Sequence, residues 1–239
     1  MHARVSKDPL LKNSPALILV HGLVVSSRYM VPIAELLSAH FRVYVPDLPG
    51  FGKSGKPPHV LSLVELSNAL AAWMQEAGLE RAAFLGNSFG CQVIADLSAR
   101  HPALIERAVL QGPTMDPQGR SALQQIGRFV LDMPREPLSL LAIELLDFLS
   151  AGTVRSWRTF RYALDDRIEE KLPNMGVPTL VVHGSQDRII SQRWAEEVTS
   201  LLPLGRLVVI PGAAHTANYG WPLEFAREVQ TFLSDGVKA

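Results

Sequence analysis

One pentapeptide constrains this chain more than any other feature. Gly86-Asn87-Ser88-Phe89-Gly90 follows the short apolar run Ala82–Leu85 and opens a helix-like stretch, Phe89–Arg100. An apolar run that passes directly into a helical periodicity reads as strand, sharp turn, helix. In that context G-x-S-x-G is a nucleophile elbow. The turn is so tight that Ser88 is expected in a strained backbone conformation, with the flanking glycines leaving room for neighbouring chain segments to pass. The hydroxyl is then thrust above the sheet at a helix N-terminus, whose partial positive charge suits a developing anion.

The rest of the chain has the same grammar. Apolar runs at Ala16–Val20, Phe41–Val45, Ala82–Leu85, Ala108–Leu110, Thr179–Val182 and Arg206–Ile210 end in glycine, proline or aspartate. Short runs rich in Val, Ile and Leu, apolar on successive positions, predict strands buried on both faces. Leu63–Glu76, Phe89–Arg100, Arg193–Leu202 and Leu223–Leu233 read as helices between them. Strands alternating with helices predict an α/β domain, a mostly parallel sheet with helices on both faces. Chemistry then gathers in the loops at the carboxyl ends of the strands. The alternation breaks between about Thr114 and Pro173, where Pro137–Leu149 and Arg155–Leu164 are helical in character and no buried strand is evident. A segment of about 60 residues is too long for a structureless loop in a compact domain. It is expected to be a small helical lid, residues 114–173, inserted into a core formed by residues 1–113 and 174–239.

A serine hydroxyl is a poor nucleophile at neutral pH and needs a base. Of the seven histidines, His215 stands in Pro211-Gly212-Ala213-Ala214-His215, just past the last expected strand and at the carboxyl edge of the sheet. The base needs an acid to fix its tautomer and stabilise the imidazolium. Asp187 follows the strand Thr179–Val182, and Asp116 is a rival after the preceding strand. Asp187 is preferred of the two, and the order Ser88, Asp187, His215 is the chain order this architecture demands. The oxyanion donors are expected to be the backbone N–H of Phe89, directly after the nucleophile, and that of Leu23, in the loop after the first apolar run. His21 is expected to brace that loop rather than act as a base.

Together these residues resemble the α/β-hydrolase superfamily over nearly the whole chain. His21-Gly22, Asp47-Leu48-Pro49-Gly50-Phe51-Gly52-Lys53-Ser54, the elbow, the Asp187 loop and the His215 loop fall in the family's order. The resemblance implies an α/β-hydrolase fold, with residues 114–173 in the position of the helical cap. Two departures stand out. Cys91 replaces a second glycine common among relatives. The short N-terminus also implies that the antiparallel edge strands of many relatives are reduced to one or lost.

Composition excludes other classes. The 239 residues carry 23 Lys+Arg and 23 Asp+Glu, so there is no basic excess to neutralise a nucleic acid. The single cysteine allows no intramolecular disulfide, which fits a reducing cytoplasm. The first apolar run, Ala16–Val20, is too short for a membrane span. Gly50-Phe51-Gly52-Lys53-Ser54-Gly55 matches G-x-G-x-x-G, but Pro57 and Pro58 block the helix a pyrophosphate would need. No histidine or cysteine pair has metal-ligand spacing, so neither metal nor cofactor is expected. Cys91 reads as a small buried apolar residue. Trp157, Phe160 and Tyr162 either line a pocket or pack lid helices together, and Phe89 is placed to shape an acyl pocket.

The expectation is a cofactor-independent serine hydrolase of the cytoplasm, monomeric or homodimeric, that cleaves a small apolar carboxylic ester through an acyl-enzyme. Two alternatives remain open. Carbon–carbon bond hydrolysis of a meta-cleavage-type diketo acid is supported by Gly86-Asn87-Ser88 and opposed by Thr216, where the resemblance leads one to expect tryptophan. A ligand-binding protein that keeps the fold without turnover is the alternative of another class. Dehalogenation and epoxide opening are disfavoured, because relatives performing them carry aspartate at the nucleophile position.

Overall fold

A computed structural model describes residues 1–7 and 14–235. The strands are β1 (Ala3–Val5), β2 (Ala16–Val20), β3 (Arg42–Pro46), β4 (Ala82–Asn87), β5 (Ile105–Gln111), β6 (Thr179–Gly184) and β7 (Gly205–Ile210). They form one sheet in the order β1-β3-β2-β4-β5-β6-β7. β1 is antiparallel to β3, with Arg4 opposite Val45, and every other neighbouring pair is parallel. A single antiparallel strand thus remains at the amino-terminal edge.

Every residue of β2, β4 and β6 is buried, as expected for central strands covered on both sides. Successive side chains divide between two apolar layers. Ile18, Phe84, Leu110 and Val181 enter one, while Leu17, Leu19, Leu85, Val109 and Leu180 enter the other. The helices are α1 (Val31–Leu37), α2 (Leu63–Glu76), α3 (Phe89–Arg100), α4 (Ala122–Asp132), α5 (Leu138–Ala151), α6 (Thr153–Asp165), α7 (Ile168–Lys171), α8 (Gln192–Leu201), α9 (Ala217–Gly220) and α10 (Pro222–Ser234). Leu66, Leu70 and Met74 of α2, Val93 and Ile94 of α3, and Trp194 and Val198 of α8 build the first layer. Ile33 and Leu37 of α1 and Phe225, Val229 and Phe232 of α10 build the second.

Local chemistry sets the element ends. Ser62 caps α2 by accepting from the Glu65 N–H, and the Glu65 carboxylate accepts the Ser62 N–H in return. Ser191 caps α8 from one side only, accepting the Trp194 N–H. The glycine-rich loop after β3 wraps an aspartate rather than a nucleotide. Gly52 has φ +53°, and a Cβ there would lie 2.3 Å from the Asp47 carboxyl carbon. Asp47 accepts from the backbone N–H groups of Ser27 and Lys53. Burial alone would raise its pKa, but those N–H groups hold the carboxyl below its ordinary value.

Between β5 and β6 the chain runs through α4, α5, α6 and α7, with no strand among the described residues of this stretch. Polar contacts tie it to the loops and helices below. Asp147 on α5 accepts from the Ser26 hydroxyl at 2.6 Å. Arg155 on α6 donates to the Pro57 carbonyl, and Gln92 on α3 donates to the Ala163 carbonyl. No helix among the described residues is long and apolar enough to cross a membrane.

Candidate active site

The elbow sits where β4 meets α3. Ser88 has φ +55° and ψ −118°, a region that side-chain-bearing residues rarely adopt, and is the residue preceding the first turn of α3. Its neighbours must be glycine for steric reasons. A Cβ on Gly90 would stand 2.3 Å from the Val20 carbonyl oxygen, and one on Gly86 would stand 2.8 Å from the Gly90 carbonyl carbon. The close approach of α3 to β2 at Gly90 and to β4 at Gly86 therefore leaves no room for a side chain. Phe89 is the first residue of α3, so its N–H has no acceptor within the helix.

Asp187 follows β6, and its backbone loop is tied down by the Gln186 N–H, which donates to the Ala213 carbonyl. One Asp187 oxygen accepts from the N–H groups of Ile189 and Ile190, at 2.7 and 3.0 Å. The other lies 2.8 Å from Nδ1 of His215. The carboxylate is therefore oriented by backbone donors on one side and by the imidazole on the other. His215 is 4% exposed, and Gly112 (φ +57°) packs so close that a Cβ would meet the imidazole at 2.8 Å. Burial by itself would lower the His215 pKa. The Asp187 charge and hydrogen bond, with the charges of Asp132 and Glu136, reverse that and place it at about 9. Nε2 of His215 is buried and has no hydrogen-bond partner among the described residues.

A cavity of about 520 Å³ opens over these residues. That lies in the range of pockets that enclose small ligands. Ser88, His215, Leu23, Phe89 and Trp157 all line it, so four sequence-derived positions reach one chamber with the nucleophile candidate. Asp187 stands behind His215. Since Nε2 has no partner, Ser88 and His215 share the cavity without a hydrogen bond between them. Trp157 and Phe160 line the cavity, and within α6 they pack on each other with ring centroids 5.8 Å apart. Asp116 is elsewhere, 3.6 Å from both Arg128 and Arg193. Cys91 is fully buried, its thiol directed at the Gly86 carbonyl, and burial pushes its pKa up.

His21 braces its loop. Its Nε2 accepts from the Leu48 N–H at 3.0 Å, which leaves Nδ1 to donate to the Gly22 carbonyl at 2.9 Å. Burial, opposed by the Gly22 carbonyl and the Asp47 charge, lowers its pKa, so the ring is neutral. Other supporting residues carry no sequence signature. The Gly22 N–H donates to the Tyr29 hydroxyl at 2.7 Å, and that hydroxyl donates to Asn87 Oδ1 at 2.7 Å. Asn87 Nδ2 donates to Gln111 Oε1 at 2.6 Å, and Gln111 Nε2 donates to the His215 carbonyl. One chain of hydrogen bonds thus joins the loop after β2, the elbow, the end of β5 and the His215 loop. Val24, beside Leu23, has φ +59°, a strained value for a β-branched residue and one its sequence position did not foretell. Asp132, Glu136 and Glu144 also line the cavity. Burial, then the Glu136 charge, raises Glu144 to about 7.

Comparison with known proteins agrees with this architecture. A sequence model of the alpha/beta hydrolase family matches residues 17–229. The chain is 28% identical to a pimeloyl-[acyl-carrier protein] methyl ester esterase of Edwardsiella ictaluri, with 92% of this chain and 93% of that protein covered. It is 24% identical to a putative carbamate hydrolase RutD of Pseudomonas savastanoi pv. phaseolicola, over 93% of this chain and 95% of the relative. Among solved structures, the enol-lactonase of Burkholderia xenovorans LB400 superposes with a TM-score of 0.80 at 25% identity, covering 98% of this chain and 96% of the other.

Proposed function

This chain belongs to the alpha/beta hydrolase family, and on that premise we propose that it is a serine hydrolase of small, largely apolar carboxylic esters. The observation that carries the reading is the environment of His215. Its Nδ1 is held by Asp187, while its Nε2 is buried, unpartnered and lines the same cavity as Ser88. That is the arrangement of a general base waiting for a proton donor.

In the proposed cycle, rotation of the Ser88 side chain brings its Oγ to Nε2. His215 takes the proton as Oγ attacks the ester carbonyl, and Asp187 stabilises the imidazolium. The tetrahedral oxyanion accepts from the N–H groups of Leu23 and Phe89, each such donor being worth about 10²–10³ in turnover. His215 returns the proton to the departing alcohol. It then activates a water that releases the acid from Ser88. Residues 114–173 act as the cap, with Trp157 and Phe89 contacting the acyl chain.

An ester is favoured among carbonyl substrates because the names of two relatives specify one: a methyl ester and an enol lactone. Short p-nitrophenyl esters test the proposal. Wild type is expected to hydrolyse them at least ~10³-fold faster than Ser88→Ala. Equal rates in the two proteins would refute it.

A further inference from the structure

The cap segment reaches both of the loops on which the proposed base and its acid depend, and it does so with two carboxylates five positions or fewer apart. Asp132, the last residue of α4, accepts the N–H of Arg188 at 2.9 Å. Arg188 is the residue directly after Asp187. Glu136, in the turn before α5, accepts the N–H of Thr216 at 2.8 Å and also the Thr216 hydroxyl. Thr216 is the residue directly after His215. Both carboxylates line the cavity that His215 lines.

We infer that Asp132 and Glu136 are positioning residues: they clamp the backbone immediately beyond Asp187 and His215, and they set negative charge facing the imidazole. The inference rests on the triad reading for its kinetic consequences and on geometry for the clamp itself. A carboxylate that accepts two donors from one residue fixes that residue more firmly than a neutral acceptor does. Held at Arg188 and Thr216, the Asp187 and His215 side chains are aligned by a segment far away in sequence. Neither Arg188 nor Thr216 needs a particular side chain for its N–H to be held, although the Thr216 hydroxyl adds a second leg.

The electrostatics agree in direction. Burial raises both carboxyl groups; the Asp132 charge adds to this at Glu136 and the Asp187 charge at Asp132, where a side-chain hydrogen bond with Glu136 acts in the opposite sense. For Asp132 the charge of His215 and the Arg188 N–H act in the opposite sense, and for Glu136 the two bonds from Thr216 do so. The other titratable groups around them are Asp187, Glu144 and, behind His215, His183, whose own pKa burial lowers. The charges of Asp132 and Glu136 are both among the causes that raise the His215 pKa. Removing either charge therefore destabilises the imidazolium and lets His215 lose its proton at lower pH.

The test uses the full chain as wild type, Glu136→Gln, Asp132→Asn and Glu136→Ala. The ¹⁵N titration of the His215 imidazole, assigned with His215→Gln, is read beside the pH profile of ester hydrolysis. Glu136→Gln and Asp132→Asn are each expected to lower the His215 midpoint by roughly 0.5–1 pH unit. Glu136→Gln keeps an acceptor for the Thr216 N–H, so its alkaline kcat plateau should stay within about 3-fold of wild type. Glu136→Ala should lower that plateau about 10-fold or more with little change in KM, as misaligned catalytic groups do. Thr216→Val, which removes only the hydroxyl leg, makes the same comparison without opening a cavity, and its plateau should fall between those of the Gln and Ala variants. Unmoved midpoints in both charge-neutral variants, with equal plateaus for Gln and Ala, would overturn the clamp while leaving the hydrolase reading intact. Shifted midpoints in a wild type that hydrolyses no ester would do the reverse.

Discussion

At the scale of the residue, the account turns on the proton inventory of His215. With its pKa near 9, the imidazole is mostly protonated at neutral pH and cannot accept the Ser88 proton. The active form is the neutral one, so kcat/KM should rise with pH and reach half its maximum near pH 9 in the free enzyme. A profile already flat from pH 7 upward would contradict this. Asp187→Asn should remove both the charge that raises the pKa and the acceptor that fixes the tautomer. The expected result is a midpoint shifted to lower pH and kcat lowered about 10⁴-fold. A kcat within 10-fold of wild type would speak against Asp187 as the acid. The placement of Ser88, Asp187 and His215 in loops at the carboxyl ends of strands was legible in the sequence, because each is a chemically distinctive residue just past a recognisable apolar run. Tyr29 and Gln111 were not, and Asn87, visible as part of the elbow, gave no sign of its partners. Those partners are chosen by strand order, and no local spacing marks them. Asp132 and Glu136 were hidden for the same reason, since the docking of one segment on distant loops decides what they touch.

At the scale of the element, the elbow is the feature that tolerates least. Gly90→Ala places a methyl carbon against the Val20 carbonyl, a backbone atom that cannot rotate away. α3 or β2 must shift, at a cost of about 1–3 kcal/mol or more. A lower melting temperature together with lost esterase activity is expected, and an unchanged melt would show that β2 and α3 are not packed as described. Tyr29→Phe is the gentler counterpart. It leaves the Gly22 N–H and Asn87 Oδ1 buried without their shared partner, at about 1–3 kcal/mol by denaturant unfolding. The limits of α2 and α3 coincide with the helical runs Leu63–Glu76 and Phe89–Arg100 read from the sequence. β5 begins earlier than its apolar run, at Ile105, because Glu106 and the partly buried Arg107 interrupt the apolar pattern where the register with β4 shifts, Ala82 pairing with Ile105 and Ala83 with Arg107. The orientation of α5 was beyond reach of periodicity. Leu138, Leu145 and Leu149 are exposed while Leu140 is buried, so the helix is apolar on more than one face.

At the scale of the whole molecule, a parallel sheet delivers Ser88 from the end of β4, Asp187 from the loop after β6 and His215 from the loop after β7 to one rim. The segment between β5 and β6 closes the chamber above them. The alternation of short apolar runs with helices was enough to read that layout, and its interruption after Pro113 coincides with the helical stretch from α4 to α7. What the alternation could not give was the chamber itself, because its walls come from helices whose seating depends on single polar contacts such as Asp147 with Ser26. Trp157→Ala should enlarge the cavity and raise KM for short acyl chains several-fold more than it changes kcat, by removing contact that ground state and transition state share. A selective fall in kcat would instead place Trp157 in the chemistry. The most direct test of the central claim is the identity of the acylated residue. Wild type quenched during turnover of a p-nitrophenyl ester should carry one acyl group per chain, mapped by mass spectrometry to the peptide containing Ser88, with none in Ser88→Ala. An acyl group on any other side chain, or full turnover without Ser88, would contradict the account.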